Sequence, residues 1–140
     1  MKQIKILFLI TATILLFGSC EKVIDENGYH ITYYKNKTAE GYVFYYNKFD
    51  SIWPAKNNFV TIESVYCSGG LFGGVCKEHK DIVFTDKFGK YSFDIVKTIN
   101  GKNPTGYFIN LGSGSPKLST EDVRKQNIIQ LETYYIYIHY

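Results

Sequence analysis

The chain of 140 residues is short of several things, and each shortage removes a class of function. It lacks a strong charge of either sign. Sixteen Lys and Arg stand against 13 Asp and Glu, for a formal charge of +3. Without Lys2 and Lys5, which lie in a leader-like segment, the same count leaves +1. Proteins dedicated to nucleic acid usually carry a marked basic excess, so no nucleic-acid partner is expected. Histidine occurs three times, at His30, His79 and His139, and none sits in a nucleophile or metal-ligand motif. Ser113 lies in Gly112-Ser-Gly-Ser-Pro116, a loop rather than a strand-to-helix elbow. The Gly-rich stretch 68–75 has no Gly-Lys-Ser/Thr ending and no helical pattern behind it, so it does not read as a phosphate loop. Asp86 and Asp94 read as a turn residue and a solvent-facing strand residue rather than a catalytic pair. No enzymatic activity, cofactor or metal is expected.

Long apolar runs are also scarce. One stands out, Ile6 to Phe17, behind the positive start of Lys2 and Lys5. Twelve residues make about 18 Å of helix against a hydrocarbon layer of roughly 30 Å, so a cleaved secretory signal over residues 1–19 is the better reading. Leu16-Phe17-Gly18-Ser19-Cys20 closes that segment, and it resembles the lipobox of bacterial lipoproteins. Phe17 departs from the Leu preferred there. The resemblance implies that Cys20 becomes the first mature residue and carries acyl chains, which would anchor the protein to a bilayer. It implies an outer-membrane lipoprotein facing the periplasm or the cell surface. Residues 20–37, polar and without sustained periodicity, are expected to be a solvated tether, with Ile31 to Tyr34 as a candidate edge strand.

Methionine and tryptophan occur once each, whereas Tyr (13) and Phe (10) are frequent. Aromatic and β-branched residues suit a pleated, half-buried surface, so one all-β domain is expected over residues 38–140. Strand patterns fall at 41–46, 59–66, 82–84, 91–95, 107–111, 128–132 and 134–140, with one helical turn at 120–124. Ile82 to Ile95 reads as a hairpin of strand, tight turn and strand, with Asp86 and Gly89 supplying the turn chemistry. About seven short strands with frequent turns point to a β-sandwich.

The order of motifs is similar to a known domain. Ala39-Glu-Gly-Tyr-Val43, Pro54-Ala55, Val60-Thr-Ile62, Thr85-Asp86, Gly89-Lys-Tyr91 and Phe93 resemble the carboxypeptidase regulatory-like domain of the transthyretin-like (prealbumin-like) sandwiches. The likeness covers about Thr38 to Ile95 well and the remainder loosely. Asn57-Asn-Phe59 replaces the usual Gly-Val, and Tyr66 to Lys80 is longer than the usual connection. The resemblance implies a Greek-key sandwich in which Gly41 admits a large aromatic and Tyr91 and Phe93 fill the core. Gly41 could equally admit the neighbouring backbone, and Val43 would pack inward. The resemblance implies an accessory module for display, adhesion or assembly rather than a catalyst.

Three cysteines are an odd number. With Cys20 lipidated, Cys67 and Cys76 remain as an expected disulfide in an oxidising compartment, worth roughly 2–3 kcal/mol. A metal site adding His79 is the alternative, but it lacks a fourth ligand. Leu71 and Phe72, between the two cysteines, are either partner contacts or a cap on the core. Trp53 either stacks on a glycan or protein partner or folds onto the end of the sandwich. Asp50-Ser51-Ile52 resembles a short bacterial O-glycosylation sequon. Tyr134 to Tyr140 is aromatic on both faces, and it is either an ordinary last strand or a donor for strand addition in an assembly subunit. A periplasmic inhibitor or immunity-type protein acting through the 67–76 loop is a further possibility.

Overall fold

Alternation of side chains along one long strand sets the architecture. In the computed structural model, which describes residues 22–69, 74–112 and 114–139, strand β2 (His30–Tyr46) runs through the whole molecule. Ala39, Gly41 and Val43 point inward, and Glu40, Tyr42 and Phe44 point outward. Five strands hydrogen-bond to β2: β1 (Lys22–Ile24), β3 (Ile52–Pro54), β6 (Lys90–Ile99), β9 (Ile128–Gln130) and β10 (Tyr134–Tyr137). β9 and β10 run parallel to it and the others antiparallel. The second sheet has four antiparallel strands in the order β5 (Cys76–Phe84), β4 (Phe59–Cys67), β7 (Gly106–Asn110) and β8 (Lys117–Leu118).

The fold is predominantly β, with two sheets around one core, as the composition implies. From β2 and β6 come Ile31, Val43, Tyr91, Phe93 and Ile95; from β4 and β7 come Val60, Ile62, Tyr107 and Ile109. Each fully buried side chain of this size contributes about 1.5–3 kcal/mol of transfer free energy. The helical turn falls at α1 (Thr120–Lys125), capped by Ser119, whose hydroxyl accepts from the Asp122 amide. Val123 is buried, and the Lys37 ammonium donates to the carbonyls of Val123 and Gln126 at 2.6 and 2.9 Å.

Two expectations need correcting. Residues 22–37 are not a solvated tether. β1 pairs with the start of β2, and Ile31 is fully buried. The polar run Lys35-Asn36-Lys37 occupies an irregularity in β2 between Tyr33 and Thr38, where Lys37 reaches α1. Nor do β5 and β6 form a hairpin, since they belong to different sheets. The turn between them is a corner. On one side, the buried Thr85 exchanges backbone bonds with Asn57 and Asn58 at 3.0 and 2.9 Å and donates its hydroxyl to the Ala55 carbonyl. On the other, the Gly89 carbonyl accepts from the Val43 amide at 2.8 Å. Asp86 folds the corner by accepting from the Phe88 and Lys90 amides, and Gly89 has φ +75°, where a Cβ would strike the Val43 carbonyl.

Gly41 is fixed by packing instead. A Cβ there would overlap the ring and hydroxyl of Tyr91, which lies across β2 and is 1% exposed. Burial pushes the Tyr91 phenol up to about 12, and its hydroxyl has no hydrogen-bond partner among the described residues. Gly41→Ala should therefore cost about 1–3 kcal/mol through overpacking. Tyr91→Phe, which removes an unsatisfied buried hydroxyl, should be neutral or stabilising and should recover part of the Gly41→Ala loss. Urea unfolding of the two single variants and the double variant measures this. A Gly41→Ala loss of the same size with and without Tyr91→Phe would contradict the contact.

Candidate binding face

The outward positions of β2 near its C-terminal end are all aromatic: Tyr42, Phe44 and Tyr46. β10 lies beside them in parallel register, Tyr135 opposite Phe44 and Tyr137 opposite Tyr46. On the other side, β3 places Pro54 opposite Phe44 and Ile52 opposite Tyr46. Period-two alternation on three strands thus assembles one aromatic strip on the outer face of the sheet. The rings support one another. Tyr42 stacks on Phe44 at 6.4 Å between centroids, and Phe44 on Tyr135 at 5.9 Å. Tyr46 tilts against Tyr137 at 5.0 Å, and Tyr137 meets His139 edge-on at 4.6 Å. Tyr135 is nevertheless 51% exposed and Ile52 60%.

A shallow hollow of about 230 Å³ opens in this strip, lined by Tyr46, Asp50, Ile52 and Tyr135. Asp50 sits in the β2–β3 turn with φ 56°, a left-handed conformation that Asp tolerates. Asn47 organises the turn, its side-chain oxygen accepting from the Phe49 and Ser51 amides at 2.9 and 3.2 Å. Further along the face stands a polar row. Lys90 bonds Glu40 at 2.7 Å, and the Gln130 amide reaches the same carboxylate at 3.4 Å. The Lys90 contact holds the Glu40 carboxyl below its ordinary value and the Lys90 ammonium above its own. A larger hollow of about 480 Å³, between Tyr34, Pro104, Thr105 and Arg124, lies elsewhere on the molecule, beside α1.

A buried polar cluster ties the two sheets together on the inner side. The imidazole of His79 on β5 lies 3.1 Å from Asp25 through Nδ1 and 3.2 Å from Asp81 through Nε2. The Tyr33 hydroxyl is 3.0 Å from Nε2 and donates to Asp81 at 3.0 Å. The carboxylates approach opposite edges of the ring, so they do not converge on a point where a cation could sit. Burial raises the Asp25 carboxyl, but it is outweighed by the Tyr29 amide, the His79 ring and the Asn27 amide, and the net shift is downward. Burial and the neighbouring Asp81 push the Tyr33 phenol well above its ordinary range.

The residues singled out from sequence fall in several places. Cys67 and Cys76 stand opposite each other at the end of the β4–β5 ladder and form a disulfide, with Cα atoms 4.1 Å apart. Trp53 pairs with Tyr45 in register and packs on it at 6.3 Å, half-buried, on the opposite side of β3 from Ile52 and Pro54. It is therefore turned away from the aromatic strip. Ser51 is exposed in the β2–β3 turn. Cys20, Leu71 and Phe72 lie outside the described residues. Sequence reading missed the Tyr46–Tyr135 hollow and the His79 cluster. The alternating aromatics of 42–46 and 135–137 were the available signal for the first.

No protein-family model matches the chain, and neither does a curated protein or a solved structure.

The Asp25 shift has a sign that can be tested. Its folded-state value lies below the ordinary 3.8, so its contribution is fully present above that value and is lost as pH falls through the lower one. Asp25→Asn should be less stable than the wild type near neutral pH, and the gap should close as pH falls below the ordinary value of 3.8. Urea midpoints measured across that window decide the matter. Parallel curves would contradict the role given to Asp25.

Proposed function

We propose that the protein is a non-enzymatic, lipid-anchored binding module of the bacterial cell envelope, held to the outer membrane through acylated Cys20. The observation that carries the binding role is the continuous, partly exposed aromatic strip of Tyr42, Phe44, Tyr46, Tyr135 and Tyr137. Large aromatic rings supply contact area at little conformational cost, and Tyr adds a polar handle. Unsupported, such rings would be a liability on a free surface. Here they are braced by stacking, as a preformed contact surface requires.

Position supports the anchoring role. The chain enters the fold at β1, beside the first residues of β2, whereas the strip lies at the far end of β2. The β6 register from Ile31–Ile99 to Tyr42–Lys90 covers nine steps, and Tyr46 is four steps further. At ~3.3 Å per residue that is about 40 Å along β2 to Tyr46 and about 30 Å to Tyr42, where the strip begins. A module tethered at Cys20 would hold its aromatic face away from the membrane that carries it.

The same proposal includes kinship with the transthyretin-like, carboxypeptidase regulatory-like domains and their Greek-key arrangement. The resembling motifs fall at coherent places: Gly41 under Tyr91, and Thr85 to Gly89 at the corner between sheets. Assembly by donation of the C-terminal strand is less well supported. β10 is already engaged with β2 over Tyr134–Tyr137, and donation would first break that ladder.

Intact mass of the protein extracted from its own membrane tests the anchor. The expected mass begins at Cys20, carries acyl chains, and gains two hydrogens on reduction of the Cys67–Cys76 bond. Cys20→Ala should move the protein to the soluble fraction. A lipid-free mass in the membrane-extracted material would overturn the reading.

A further inference from the structure

We propose that the hollow between Tyr46, Asp50, Ile52 and Tyr135 binds one pyranose unit of a neutral oligosaccharide. The inference rests on the binding-module reading and names the ligand class of that same face. A pyranose ring has apolar faces of C–H groups and an edge of hydroxyls. The hollow has both complements. Two tyrosine rings and an isoleucine line it, and Asp50 adds one carboxylate. The Asp50 side chain has no hydrogen-bond or ion-pair partner among the described residues, so both of its oxygens are open to hydroxyl donors. Hydrogen bonds to an ionised acceptor are short and about twice as strong as neutral ones.

The site is built before a ligand arrives. Phe44 backs the Tyr135 ring at 5.9 Å, and Tyr137 backs Tyr46 at 5.0 Å. Side chains already held lose little freedom on binding. Charge selects among ligands. The Glu40 carboxylate is neutralised by Lys90, which leaves Asp50 as the open charge at the hollow. A polyanionic chain is disfavoured there and an uncharged, hydroxyl-rich one is not. Glu40, Lys90 and Gln130 lie on the same face beyond Tyr42, where the next units of a chain would find hydrogen-bonding groups. Chemistry and position weigh against other occupants. The single carboxylate among apolar rings suits a hydroxyl-rich ring, and the hollow lies about 40 Å along β2 from the tethered end, away from the anchoring bilayer.

The test uses the full-length, detergent-extracted protein and an array of neutral oligosaccharides of glucose, mannose, xylose and N-acetylglucosamine, with titration calorimetry on whichever binds. Tyr135→Ala and Asp50→Asn should each weaken binding at least about tenfold, as truncation of central contacts does. Phe108→Ala, on the exposed face of the other sheet, should leave it unchanged. Urea midpoints check folding, and Asp50→Asn, at an exposed turn, keeps the test valid if Tyr135→Ala unfolds. The inference is overturned if no oligosaccharide binds, if binding survives both substitutions, or if the face captures only phosphatidylcholine vesicles or a polypeptide. A lipid-bearing protein that ignores glycans would sink this inference alone, whereas a lipid-free mass would sink the anchor whatever the glycans do.

Discussion

Every other strand of the larger sheet is hydrogen-bonded to β2. Its first residues pair with β1 and β6, its middle with β6 and β9, and its last with β10 and β3. One register therefore positions five strands. A slip of one residue would turn Ala39, Gly41 and Val43 to solvent and bring Glu40, Tyr42 and Phe44 into the core. Tyr91 guards against that slip, because its ring lies where only the missing side chain of Gly41 leaves room.

The aromatic face follows from the same constraint. Tyr42, Phe44 and Tyr46 point outward because their alternate neighbours are needed inside. β10 then adds Tyr135 and Tyr137 beside them, since its parallel ladder is in register with Val43–Tyr46. Core and candidate site are two sides of one ladder, so the site is as rigid as the sheet. Beyond the shared core, hydrogen bonds join the second sheet at the corner of Thr85 to Gly89, at the buried His79 cluster that links β5 to Tyr33 and Asp25, and through the Tyr107 hydroxyl, which donates to the Val96 carbonyl at 2.8 Å. The disulfide closes the far end of its β4–β5 ladder.

Much of this was legible locally. The alternation in 41–46, 59–66 and 91–95 marks strands wherever one face is buried. The helical turn at 120–124 also followed from nearby residues, and the pairing of Cys67 with Cys76 from setting Cys20 aside. What escaped depends on distant ones. A strand, a turn and a strand look alike whether the turn closes a ladder or crosses between layers, and the deciding partner of Thr85 is Ala55, 30 residues away. The polar Lys35-Asn36-Lys37 concealed the first half of β2, because a bulge rather than a tether absorbs those side chains. Asp25 and His79 are 54 residues apart. The orientation of Trp53 required knowing that β3 pairs with β2, and the hollow beside Tyr135 required the parallel pairing of the last strand with the first long one.

We propose that the protein, tethered through Cys20, holds its aromatic face away from the bilayer. Trp53, the only tryptophan, lies on β3 at that end of the molecule and reports its depth without any substitution. The decisive measurement is Trp53 fluorescence of the membrane-extracted protein reconstituted into vesicles of brominated lipid. The account predicts emission unquenched relative to ordinary vesicles, with the protein floating with the lipid. Strong quenching by bromines in the acyl chains would place the aromatic end in the membrane and contradict the account.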